Sequence, residues 1–224
     1  MKKQTQKTRA IALMGILSAL LLIMAFTPLG YLKVGAISIS LLMIPVALGA
    51  IALGPVAGAL LGTLFGITSF VQCFGADAFG TFIFELNPFF CFVMCIVARA
   101  LAGFLAGLIG KLIFNRFSNS AGQFIGCAIT GLCAALFNTI LFMGCLITFF
   151  WNNTKFIETM ESWGITTAGL GKFLAAFVGV NAIIEAAAGC VITGAIGFAL
   201  FKAGLLPFNG PVFRKGDKKE SAKA

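Results

Sequence analysis

The chain has 224 residues, 60% of them hydrophobic and 10% charged, and a mean hydropathy of +1.05. That balance excludes an ordinary water-soluble domain and calls for lipid around most of the surface. The net charge of +9 is not a nucleic-acid signature, because the basic residues gather at alternate connections between apolar runs, as the positive-inside rule describes for cytoplasmic loops.

Lys2, Lys3, Lys7 and Arg9 precede the first apolar run. MKKQTQKTRAIALMGILSALLLIMAF has the basic start of a secretory signal. Its apolar core is longer than the usual h-region and no small-x-small cleavage site follows, so residues 10–29 are expected to form a retained spanning helix. Ala12, Gly15 and Ala19 give that helix one small face. In GYLKVGAISIS, Ile37 and Ile39 alternate with Ser38 and Ser40, a period of two that predicts a short strand or hairpin.

From Leu41 to Phe74 the chain carries no charge for 34 residues. As one helix this would reach about 50 Å at 1.5 Å per residue, too long for a hydrocarbon core of about 30 Å. Gly54-Pro55 divides it, since a helix ends before the proline and another can begin with proline in its first turn. The second half carries Gly54, Gly58, Gly62 and Gly66 at intervals of four, one small face suited to close helix contact in lipid.

QCFGADAFGTFIFELNP, residues 72–88, is expected to be an outer connection bearing Asp77 and Glu85. Pro88–Phe114 is the fourth predicted span, with Arg99 in its middle, and a short basic turn with Lys111 and Arg116 follows. Residues 122–151 make the fifth span and contain Asn138. A longer connection of mixed charge carries Trp163 and suits the membrane surface, and residues 173–203 make the sixth span with Asn181 and Glu185. The expected fold class is an all-α membrane protein with six transmembrane helices, a strand-like outer loop after the first, and both termini cytoplasmic. Residues 1–206 form its single domain and 207–224 a basic tail expected to be disordered. The localisation this implies is a cell membrane, crossed several times.

Ionisable groups within spans are rare and usually face the bundle interior. Arg99 and Glu185 are the two here, and two readings stay open. A buried charge needs a partner, and the first reading makes them an ion pair joining the fourth and sixth spans. Alternatively Arg99 faces a cavity and holds an anionic substrate by a bidentate, charge-assisted contact. Asn138 and Asn181 are either interhelical hydrogen-bonding groups or donors and acceptors for a ligand, and Asn181 shares a helix face with Glu185. Phe79, Phe82 and Phe84 of the outer connection either roof such a cavity or pack at the interface, and Asn87 joins the candidate set.

Absences narrow the chemistry. The chain has no histidine, which removes the commonest acid–base catalyst and the H-E-x-x-H metalloproteases, and it has no P-loop sequence for ATP. Matching inverted halves, common in secondary transporters, are not evident. Seven cysteines lie in or beside apolar runs without a C-x-x-C pair. Cys91 and Cys95 share a helix face, but without histidine a zinc site is not expected, and the thiols read as small apolar fillers. No cofactor is expected. The pattern is that of a passive binding subunit rather than an enzyme, with a stand-alone secondary transporter or a scaffolding membrane protein as the alternatives.

PLGYLKVGAISISLLMIPVALGAIALGPVAGALLGTLFGITSF, residues 28–70, resembles the first loop and the second and third helices of the S components of energy-coupling factor (ECF) vitamin transporters. The matching pieces are the Pro-Leu-Gly exit from the first helix, the Ser-Ile-Ser stretch, Ile44-Pro45, Leu53-Gly54-Pro55 and the glycine ladder. VARALAGFLAGLIGK (97–111), LFNTILFMG (136–144) and VNAIIEAAAG (180–189) look similar to the fourth, fifth and sixth helices. The chain departs from the pattern at Ile44, where such proteins often place a histidine before the proline.

The resemblance implies a six-helix subunit that binds a vitamin near its outer face. It would dock on a transmembrane T subunit carrying two cytoplasmic ATPases, with Ala12, Gly15 and Ala19 as the docking face. Arg99, Asn138, Asn181, Glu185, Asn87 and Phe82 are the substrate-binding candidates. An arginine with two asparagines suits a small carboxylate bearing amide and hydroxyl groups, and the likeness is closest to the pantothenate type. Riboflavin, folate or a cobalamin precursor are the other substrates of this class.

Overall fold

Residues 2–34, 37–116, 120–165 and 167–203 are described by the computed structural model, and the expected tail, residues 207–224, lies outside them. The described chain is predominantly helical. Five helical stretches are long and apolar enough to cross a membrane: Thr8–Ala25, Pro55–Gln72, Pro88–Phe114, Ala121–Phe150 and Asn181–Lys202.

Helix α1 spans Lys2–Ala25. Two short strands follow, β1 (Tyr31–Val34) and β2 (Ile37–Ser40), paired antiparallel with Tyr31 opposite Ser40. Helix α2, Met43–Leu53, has only 11 residues, about 16 Å of rise, so it is too short to cross lipid alone. Every residue from Met43 to Ala52 is buried. An all-round apolar helix is tolerated here because neighbouring helices, not lipid, surround it. Gly54 turns the chain with φ 94°, a left-handed conformation that glycine adopts without steric cost, and Pro55 opens α3 (Pro55–Gln72).

The connection after α3 is not a simple loop. It contains helix α4 (Ala78–Leu86), started by Asp77, whose carboxylate accepts the Gly80 N–H at 2.7 Å. The next span is built in three pieces: α5 (Pro88–Phe92), a π turn (Val93–Val97) and α6 (Ala98–Arg116). A π turn accommodates one extra residue and is often found at functional sites. Helix α7 (Ser120–Phe150) leads to the surface helix α8 (Thr154–Ser162), capped by Asn153, and α9 (Leu170–Lys202) completes the described bundle.

The glycine ladder of α3 packs on the fourth span. A Cβ added at Gly58 would strike the Gly103 carbonyl, one at Gly62 the Arg99 carbonyl, and one at Gly66 the Cys95 carbonyl. Backbone therefore touches backbone along this contact, and it holds the π turn and Arg99 at a fixed depth. Gly131 and Gly189 make a similar close approach between α7 and α9. Close contact of small residues replaces the hydrophobic drive that lipid cannot supply.

Candidate functional site

Towards one end of the bundle a cavity of about 140 Å³ opens between the strand pair, the end of α3, the start of α4, the π turn, α7 and α9. Arg99, Asn138, Asn181 and Glu185 all line it. The helix-face argument thus places Asn181 and Glu185 together, and the fold brings Arg99 and Asn138 to meet them.

Arg99 is 8% exposed. Its Nη1 donates to the carbonyls of Met94 at 3.3 Å and Cys95 at 3.1 Å, so the side chain folds back onto the π turn. The guanidinium lies 4.6 Å from the Phe65 ring centroid and 5.4 Å from that of Phe142, cation–π contacts that offset part of its desolvation. Its Nε has no hydrogen-bond partner.

Glu185 points into the same cavity but is committed elsewhere: its Oε1 accepts the Ser40 backbone N–H at 2.7 Å. Among the described residues no ion pair joins it to Arg99. The carboxylate instead fastens the strand pair to α9, which leaves the arginine's Nε edge open.

Four buried polar atoms around this cavity lack a hydrogen-bond partner: Tyr31 Oη, Ser40 Oγ, Arg99 Nε and Asn138 Oδ1. Ser69 lies beside the Tyr31 hydroxyl without making a hydrogen bond of good geometry. Burial pushes the Tyr31 phenol up to about 12, so it stays protonated and able to donate near neutral pH. Buried polar groups are nearly always satisfied in native proteins. Four exceptions, contributed by the strand pair, α6 and α7, gather around this one cavity.

Two of the sequence candidates fall outside the cavity wall. Asn87 caps α5, its Oδ1 accepting the Phe90 N–H at 3.1 Å. The Asn-Pro pair was legible as a helix start, and that role occupies the side chain. Asn87→Ala is accordingly expected to cost about 1 kcal/mol of stability and leave ligand affinity unchanged, checked by thermal unfolding beside a binding titration. Phe82 packs on Phe156 and Trp163, at 6.4 and 5.8 Å between ring centroids. It is Phe79 from the same helix that reaches the lining. Sequence reasoning missed Tyr31, Ser40, Ser69, Gln72, Asp77 and Thr139 as lining residues. Only the polar character of the 31–40 loop and the Asp77 cap hinted at them.

Residues 9–197 match the sequence profile of a family described as "ECF transporter, substrate-specific component". The chain belongs to that family. It is a multi-pass membrane protein of a bacterial transporter class, and the family is one of transporter subunits, not enzymes. The chain is also similar to two proteins named as transporters. A "Pantothenate transporter PanT" of Leuconostoc mesenteroides subsp. mesenteroides is 29% identical over 204 residues, covering 87% of this chain and 93% of the relative. A "Pantothenic acid transporter PanT" of Lactococcus lactis subsp. cremoris is 29% identical over 174 residues, covering 73% of this chain and 78% of the relative.

Proposed function

We propose that this substrate-specific component binds pantothenate at the outer side of the membrane for ATP-driven uptake by partner subunits. The observation that carries the reading is the Arg99 guanidinium, buried at the cavity wall with its Nε unpaired. A carboxylate held along that edge is a charge-assisted contact in a place of low dielectric. Pantothenate has one carboxylate, and its amide N–H and two hydroxyls suit acceptors such as Asn138 Oδ1 and the carboxylates of Glu185 and Asp77. The names of the two relatives support the same substrate.

In this reading the chain crosses the membrane six times, with α2 as the short, protein-enclosed crossing and both termini cytoplasmic. That is the orientation the basic connections favour. The energy comes from elsewhere: a T subunit docks on α1 and two ATPases drive the cycle. Ala12, Gly15 and Ala19 are exposed, and a Cβ at Gly15 would meet nothing within 4 Å, which leaves this face free for a helix of another subunit.

The test is a calorimetric titration of pantothenate into the detergent-purified chain, with riboflavin and folate as controls. Saturable binding of pantothenate alone is expected. In proteoliposomes, uptake should require the T subunit and both ATPases, and Gly15→Leu should abolish uptake while binding persists. Uptake by this chain without ATPases would replace the reading with that of a secondary transporter.

A further inference from the structure

Three cysteines that pantothenate recognition does not require meet beside the chamber. Cys73 follows the last turn of α3, Cys91 lies in α5 and Cys95 in the π turn. The Sγ atoms of Cys73 and Cys91 are 3.6 Å apart, those of Cys73 and Cys95 3.9 Å, and all three lie within 4.8 Å of one another. Each side chain is at most 3% exposed. Apolar packing accounts for any one buried thiol. It does not account for three sulfurs, two from one face of the fourth span and one from the end of α3, converging on one point.

We propose that Cys73, Cys91 and Cys95 form a three-thiolate site for copper(I). A metal–sulfur bond of about 2.3 Å sets the sulfurs of a trigonal site about 4 Å apart, close to the spacing found here. The donor set is entirely soft, which selects copper(I) over magnesium, calcium or manganese. Structural zinc wants four ligands, and the group of metal-binding side chains among the described residues stops at three. The Arg99 guanidinium, held on the Cys95 carbonyl at 3.1 Å, places a positive charge beside the sulfurs and offsets part of the thiolate charge. Cys73 and Cys95 line the chamber, so an ion entering from the same side reaches them directly.

Binding displaces three thiol protons into solvent and forms three copper–sulfur bonds. The metal arrives and stays as copper(I), so no electron is transferred. Because protons leave, affinity rises with pH.

The experiment is an anaerobic titration of the full-length, detergent-purified protein with copper(I) buffered by a competing chromophoric chelator. It reads stoichiometry and the ultraviolet sulfur-to-copper charge-transfer band. One equivalent is expected. Cys91→Ser should weaken binding by more than about 100-fold, beyond the effect of losing a supporting hydrogen bond, whereas Cys127→Ser, at a buried thiol outside the group, should leave it unchanged. Cys91 does not line the chamber, so pantothenate binding by Cys91→Ser reports its folding and keeps the two readings separate. If that variant does not fold, Cys91→Ala takes its place. Absence of stoichiometric copper(I) uptake by the unaltered protein, wild-type affinity in the variant, or preference for zinc over copper(I) overturns the proposal.

Discussion

Arg99→Ala is expected to weaken pantothenate binding by about 2–5 kcal/mol, the loss typical when one partner of a buried, hydrogen-bonded charge contact is removed. The side chain makes no ion pair among the described residues, and its hydrogen bonds are to carbonyls of its own helix. Its removal therefore breaks no ion pair among the described residues, and the protein should remain folded. Arg99→Lys keeps the charge but not the planar fork, and a lysine ammonium cannot reproduce the stacking between Phe65 and Phe142. Binding by the lysine variant should fall between wild type and alanine. The measurement is isothermal calorimetry with thermal unfolding of the same samples. Unchanged affinity with collapsed stability would assign Arg99 a purely structural role and remove the carboxylate contact from the mechanism.

Gly62→Ala is expected to destabilise the protein by about 1–3 kcal/mol through overpacking, although alanine is the better helix former by about 1 kcal/mol. The added methyl has nowhere to go, because it meets the Arg99 carbonyl and the Ala100 Cα, which are backbone and cannot rotate aside. The two helices must separate, and the base of Arg99 moves with α6. A fall in ligand affinity should therefore accompany the fall in thermal stability. Gly15→Ala is the control: its new methyl meets nothing within 4 Å, so it should leave stability unchanged or slightly raised. Equal behaviour of the two variants would mean that the glycine ladder is not a load path between α3 and α6.

Much of this arrangement can be traced to local chemistry. Gly54-Pro55 breaks an uncharged run longer than the bilayer, and the break is where α2 gives way to α3. The four-residue spacing of Asn181 and Glu185 put both on one face, and both line the cavity. Helices α4 and α8 escaped the hydropathy pattern because each is a nine-residue segment. Their starts were nonetheless written in Asp77 and Asn153, whose side chains cap them. The π turn left no readable sign, since one extra residue in an apolar helix does not disturb composition.

The chain's solvent, its five membrane-length helices among the described residues and the presence of buried charge follow from composition and periodicity, because lipid imposes the same demands on every segment independently of its neighbours. The partner of each buried polar group does not follow. Glu185 accepts the Ser40 N–H across 145 residues of sequence, a contact that nothing in the spacing of either residue announces. The convergence of Cys73 on Cys91 and Cys95 is of the same kind. Such pairings depend on how helices dock in three dimensions, and no local spacing encodes which distant residue will arrive.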